Sequence, residues 1–407
     1  MKHLFLLFFF VSAGALFAQT GVGLVAYYNF EQNITDVTGN SANAGLPVGT
    51  VVYGCGISGD ALQLGGGNQE VRFPGPVTQE FDNEDFTVSL YFKANGTAGT
   101  QYLVSKRSST CTIDSSFYIR YVPRTRTLNV LLSESQTKSI SLVENLEADA
   151  CWYQVTVVRQ NMRVRLYVNG QLRQEATTPS RINVKNNGAL VLGGGDCLTA
   201  NESHFVGLID DFRVYYRALN ELEARELYVA PDVILNRDTL VYLGGFVQIR
   251  VSNTCANSFS WSPAEGVAPP VSAEPVITPT KAGAQIYKLS FYDNGSACVA
   301  TDTIRINVID PTSLDCGTVH LPKAFTPNND GLNETYGISN PYAIPEMISF
   351  EIFDRWGGRV FFTTDPFGRW DGFYRGEAVN PGVLLYRVRY KCDGVERNAA
   401  GSVTILR

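Results

Sequence analysis

Phe86-Thr87-Val88-Ser89-Leu90-Tyr91-Phe92 is the stretch from which the fold is read. Apolar residues at 86, 88, 90 and 92 alternate with mostly polar ones, the period of an extended strand with one buried face. Outward from it, residues 152–158 and 163–168 form two further strands joined by the polar turn Arg159-Gln160-Asn161-Met162, and Asn169-Gly170 opens a second tight turn. This is a meander within a sandwich. From about residue 21 to residue 230 the chain is short β-runs broken by Gly, Asn and Pro. A short helix is expected at 219–228, with Asn220 as N-cap, Glu223 three residues on and Pro231 closing it.

Strand patterns restart at 232–310, with apolar runs at 239–241, 246–251, 286–292 and 303–308. They restart again at 316–407, with strands at 349–353, 359–362, 384–390 and 401–406. A length of 407 residues, at about 150 per domain, agrees with two to three domains. The fold class expected is all-β: three β-domains in a row. Charged residues are only 18%, the net charge is -6, and no basic run is long enough to track a phosphate backbone, which argues against a nucleic acid partner. Three histidines leave little material for His-based catalysis or a zinc site.

Residues 1–18 read as a secretory signal peptide: Lys2, the apolar run 4–11 and a stretch rich in small residues at 12–18. Eight cysteines without C-x-x-C spacing then point to disulfides in an exported chain. They divide four, two and two along the three segments, so intradomain bridges are expected. Cys255–Cys298 and Cys316–Cys392 follow if no bridge crosses domains. The first four allow three connectivities; Cys111 with Cys197 is preferred because each lies in a polar loop after an apolar strand, which leaves Cys55 with Cys151.

Residues 22–230 resemble the laminin-G-like, concanavalin A-type jelly rolls of exported bacterial proteins. The resemblance rests on Val25-Ala26-Tyr27-Tyr28-Asn29-Phe30-Glu31, Asp36-Val37-Thr38-Gly39-Asn40, Gly59-Asp60-Ala61-Leu62, Leu166-Tyr167-Val168-Asn169-Gly170 and Gly207-Leu208-Ile209-Asp210-Asp211-Phe212-Arg213-Val214-Tyr215. Residues 232–310 resemble PKD-like, immunoglobulin-type modules through Phe259-Ser260-Trp261-Ser262-Pro263 and Cys298-Val299-Ala300-Thr301-Asp302-Thr303-Ile304. Residues 316–407 resemble the gliding-motility-associated C-terminal domain, the type B sorting signal of the Bacteroidota type IX secretion system. The motif residues are Phe325, Pro327, Asn328, Asp330, Gly331, Arg355, Trp356, Gly357, Trp370, Asp371, Gly372 and Arg407. This implies export through the periplasm to the outer cell surface or the medium, with the type IX machinery as partner.

The one cofactor expected is a structural calcium. Glu31, Asp36, Asp210 and Asp211 offer the oxygen ligands that suit this hard cation, and they lie at the two ends of the first domain's sequence, which a jelly roll brings together. The competing reading makes Asp36 to Asn40 an Asx turn and leaves Asp210 and Asp211 on a strand's polar face. Asn328-Asn329-Asp330-Gly331 echoes a calcium loop, but Thr326 and Gly337 stand where ligands are needed, so a turn is expected. Glu80-Phe81-Asp82-Asn83-Glu84-Asp85 brushes the E-x-D-x-x-E pattern of concanavalin-fold glycosidases, yet its spacers are polar and it reads as a loop. Trp152, Trp261, Trp356 and Trp370 are expected in core or turn-packing roles, and His204 in a solvated loop.

The expectation is therefore an exported binding protein without catalytic residues, an adhesin or a carbohydrate- or protein-binding module that holds a glycan or a surface protein through the jelly roll. The competing readings are a carbohydrate-active enzyme, which needs a carboxylate pair in a cleft, and a structural surface-layer or filament component.

Overall fold

The computed structural model describes residues 20–406 apart from 83, 109–111, 149, 294, 296–297 and 329–331. The signal-peptide reading of 1–18 and the motif positions Asp330, Gly331 and Arg407 lie outside the described residues, as does Cys111. What is described is strands and turns, with one short α-helix and four 3-10 turns.

The jelly roll is two eight-stranded sheets. In the first, Phe86–Ala94 sits centrally between Tyr153–Gln160 and Val206–Tyr215, and Leu24–Tyr28 pairs with Val206–Tyr215. In the second, Thr100–Lys106 runs between Ser116–Val122 and Leu190–Leu192, and Glu202–His204 pairs with it in parallel. The alternation at 86–92 works as its period dictates: Phe86, Val88, Leu90 and Phe92 point between the sheets into one core with Ile119, Val130, Val155, Leu166 and Phe212. The Asn169-Gly170 turn has both residues at positive φ, 50° and 71°, as a two-residue hairpin requires. The helix runs Glu221–Glu226, shorter than the sequence suggests, and opens with a full capping box between Asn220 and Glu223.

By contacts the chain forms two compact units. Among the described residues, one comprises 20–237, 248–276 and 287–304, the other 238–247, 277–286 and 305–406. The middle segment contributes to both, with a four-stranded sheet ordered Thr239–Tyr242, Val299–Ile309, Gly283–Tyr292, Ser258–Ser262, and a three-stranded one. The second unit holds a five-stranded sheet, ordered Ala324–Phe325, Val395–Ile405, Gly382–Cys392, Glu346–Phe353, Arg359–Thr363. One face of this sheet packs on Tyr336 and Trp370.

The disulfides correct the expectation. Cys316–Cys392 forms as expected, but the pairs Cys55–Cys151 and Cys255–Cys298 do not: the bridges are Cys55–Cys255 and Cys151–Cys298, each with Cα atoms 5.7 Å apart. Cys197 is also disulfide-bonded. Counting cysteines by segment assumed that each segment closes on itself. Instead, Tyr91, Trp152 and Leu208 leave an apolar cluster with Ile57 and Ala61 on the outward face of the first sheet, and Tyr228 packs on it. The middle segment's loops are tied down around that face. Asn253 donates to the Ile57 carbonyl at 3.3 Å, and Lys93, 2% exposed, pairs with Asp293.

Candidate functional site

A bulge decides what Asp210 and Asp211 do. Against Phe86–Ala94 the register slips between Asp210, opposite Tyr91, and Arg213, opposite Ser89, and Asp211 takes φ 51°. An extra residue of this kind re-aims its neighbours. Phe212 enters the core and Asp210 is buried to 1% exposure. The Asp210 Oδ2 accepts the Ile57 N–H at 2.7 Å and Oδ1 accepts the Asp211 N–H at 2.7 Å. Burial, then the charges of Asp211 and Glu31, push its carboxyl up to about 7 against the pull of those two N–H groups.

Glu31 stands across the same loop. Its carboxylate accepts the Asp60 N–H at 3.3 Å. A Cβ on Gly59 would come within 2.2 Å of Glu31 Oε1, and one on Gly56 within 2.4 Å of Asp210 Oδ2. The loop 56–60 thus threads between two carboxylates with no room for a side chain at either glycine.

The other two expected calcium ligands are otherwise engaged. Asp36 accepts the N–H groups of Tyr27 and Thr38 and bonds the Thr38 hydroxyl and Asn43 amide, all at 2.9 to 3.0 Å, which is the Asx turn. Asp211 accepts the Tyr27 hydroxyl at 2.5 Å and pairs with Arg213 at 3.2 Å. Among the described residues no three acidic, His or Cys ligand atoms gather there within 4.8 Å of one another; the one such group, Cys316, Cys392 and Asp393, has both sulfurs in a disulfide. The four expected ligands therefore do not converge: Asp36 and Asp211 have separate partners, and Glu31 and Asp210 face the loop 56–60 from either side.

A groove of about 690 Å³ with mixed polar and apolar walls lies at the rim of the second sheet, lined by Thr97 to Thr100, Val122, Arg124 and Ala200 to Ser203. Glu202 anchors it, accepting the Tyr102 hydroxyl at 2.7 Å and Arg120 at 3.0 Å. Burial opposes the charge of Glu202, but the Thr199 N–H, the Tyr102 hydroxyl and Arg120 outweigh it and hold the carboxyl below its usual range. Beneath, Tyr102, Tyr118 and Leu131 pack together, and Arg120 lies 4.7 Å over the Tyr118 ring. Sequence reasoning missed this site, because Glu202–His204 joins the sheet through a parallel pairing with Thr100–Lys106 that no local pattern announces. His204 is correspondingly not a solvated loop residue: its Nε2 lies 3.2 Å from the buried Glu70 carboxylate.

Three acids of the run 80–85, Asp82, Glu84 and Asp85, stand in ion pairs. Asp82 meets Lys185 at 2.7 Å, Asp85 meets Arg181 at 2.9 Å and also accepts the Asn161 N–H, and Glu84 is 3.6 Å from Arg181. Position 83 lies outside the described residues.

The sorting-domain motif splits in two. Phe325 and Trp370 are 2% exposed and pack at 5.5 Å, Pro327 stands against Gly372, and Asp371 accepts the Phe373 N–H at 3.0 Å, so these residues build the core and its turn. Asn328 closes a backbone turn onto the Thr326 carbonyl. Arg355, Trp356 and Gly357 form a hairpin turn. There Trp356 is 86% exposed, which overturns the expectation of a packing role.

Residues 65–225 match the family model described as the concanavalin A-like lectin/glucanases superfamily, and residues 319–405 match the CHU_C type IX secretion signal domain. The chain thus carries a laminin-G-like jelly roll followed by a type IX sorting domain, and the latter marks it for export to the cell surface or the extracellular space. No curated protein matches. Similar solved structures include domain 4 of AbnA, a GH43 extracellular arabinanase from Geobacillus stearothermophilus, in complex with arabinotriose (21% identity, 51% of this chain and 98% of that one, TM-score 0.39). Others are the CBM40 of Ruminococcus gnavus IT-sialidase (16%, 42% and 96%, TM-score 0.37) and the receptor binding domain of botulinum neurotoxin C/D mosaic serotype (14%, 66% and 70%, TM-score 0.43).

Proposed function

We propose that this chain is a non-catalytic binding protein delivered by type IX secretion to the outer surface or the medium, where its jelly roll holds a glycan. The observation that carries the reading is the union, in one chain, of the two matched domains. The acidic run that could have suggested hydrolysis supports binding instead, since its described carboxylates are held in ion pairs. The groove beside Glu202 supplies hydroxyl, amide and charged groups suited to a hydroxyl-rich ligand. Export would pass through the periplasm after a signal peptide, where the disulfides close.

The test is a glycan array probed with the full chain, repeated with Arg124→Ala. Specific signals lost in the variant support the groove. A blank array together with oligosaccharide cleavage detected by chromatography would replace binding with catalysis.

We further propose that Glu31 and Asp210 hold a calcium ion, which would offset their mutual repulsion and tie the chain's first strands to the bulge. Calcium should raise the melting temperature over a chelator control. Glu31→Gln and Asp210→Asn should each abolish that rise; a wild-type chain indifferent to calcium would end the proposal.

A further inference from the structure

Three of the four tryptophans, Trp152, Trp261 and Trp370, are at most 4% exposed, whereas Trp356 is 86% exposed. An indole left in water forfeits the burial that is its main contribution to a fold, so the stability of the domain does not account for it. Nor is it loosely held. Asp354 Oδ1 accepts the N–H groups of Trp356 at 2.8 Å and Gly358 at 2.7 Å, the Gly357 N–H returns to the Asp354 carbonyl at 3.1 Å, and Gly357 takes φ 83°. That turn presents the indole on a fixed support.

Trp356 lines a cleft of about 530 Å³ together with Arg355, Tyr374 and Val383, the last 61% exposed. The Arg355 guanidinium stands 6.0 Å over the Trp356 ring and, among the described residues, has no carboxylate partner. Trp, Tyr and Arg are the residues that dominate protein–protein hot spots. Here all three line one open cleft, within the span that matches a secretion signal domain. Asp354 and Glu377 also line the cleft, so a neutral sugar would use its aromatic faces and polar edges but leave the aliphatic wall of Val379, Pro381 and Val383 idle; a protein surface uses all of them.

We infer that this cleft is the surface by which the sorting domain is read, and that its occupant is a protein of the type IX machinery offering an apolar pocket to Trp356 and a carboxylate to Arg355. The inference rests on the reading of residues 319–405 as a secretion signal.

The full chain should be expressed in a host with a type IX system as wild type, Trp356→Ala, Arg355→Glu, Trp356→Phe and a form lacking 316–407, and the fraction outside the cell compared with that in the periplasm. Trp356→Ala and Arg355→Glu should each lower the exported fraction roughly tenfold or more, as loss of a hot spot does, while Trp356→Phe retains most of it. Melting temperature and closure of Cys316–Cys392 in the purified variants check the fold. Should Trp356→Ala fail that check, Arg355→Glu decides, since it leaves the indole in place.

Wild-type export of both folded variants, with the truncated form retained in the periplasm, overturns the cleft but leaves the signal reading standing. Export of the truncated form overturns the signal reading itself. Trp356 is the exposed tryptophan of the described chain, so oligosaccharide that shields the tryptophan emission from acrylamide quenching would make the cleft a sugar site and overturn the protein occupant.

Discussion

Lys106 carries a 1% exposed side chain into the jelly roll, where its ammonium donates to the backbone and side-chain oxygens of Asn186 at 2.9 and 2.7 Å. Burial pulls its pKa down to about 8. An unfolded lysine keeps its proton to about 10.4, so between roughly pH 8 and 10 the folded chain binds fewer protons than the unfolded one, and stability gains from this group as pH rises. Calorimetry across that window should show Lys106→Met losing the gain that the wild type displays. Gly56 offers a second test at this scale. A Cβ there would meet Asp210 Oδ2 at 2.4 Å and the Asp60 carbonyl at 2.7 Å, so Gly56→Ala should cost about 1 to 3 kcal/mol in urea unfolding, the penalty of overpacking.

Elements were legible in the sequence where their signal is local. The alternation at 86–92, the Asn169-Gly170 turn and the Asn220 and Glu223 pair of the capping box each act over a few residues, and each is where the pattern puts it. Asn220→Ala should accordingly cost about 1 kcal/mol in thermal unfolding, loosening the packing of Ala224 and Leu227 on Val158 and Tyr215. The bulge at Asp210 and Asp211 was not legible, because one inserted residue leaves hydrophobic periodicity unchanged while redirecting every side chain near it. That is why four acids grouped by sequence resolve into one pair across a loop and two with separate partners. Trp356 was misread for a related reason: its motif specifies a turn, and a turn by itself does not say whether its indole faces core or water.

At the scale of the molecule, parity counting of cysteines failed because the outward face of the first sheet needs a cover that its own segment does not supply. Replacing the Cys55–Cys255 or the Cys151–Cys298 pair by serines should lower the stability of the first unit by about 2 to 4 kcal/mol, seen as a drop in its melting temperature. Replacing Cys316 and Cys392 should act on the second unit alone.

The bridges Cys55–Cys255 and Cys151–Cys298 also interleave, since Cys151 lies inside the 55–255 loop and Cys298 outside it. A single backbone cut anywhere between 55 and 298 therefore leaves both fragments on one covalent molecule, and a cut between 316 and 392 does the same for the second unit. Between those spans, none of the bridges Cys55–Cys255, Cys151–Cys298 and Cys316–Cys392 closes over residues 299–315, where Thr312, Ser313 and Asp315 are exposed. A nick there leaves none of these bridges across the cut, so a denaturing, non-reducing gel separates the two parts without a thiol.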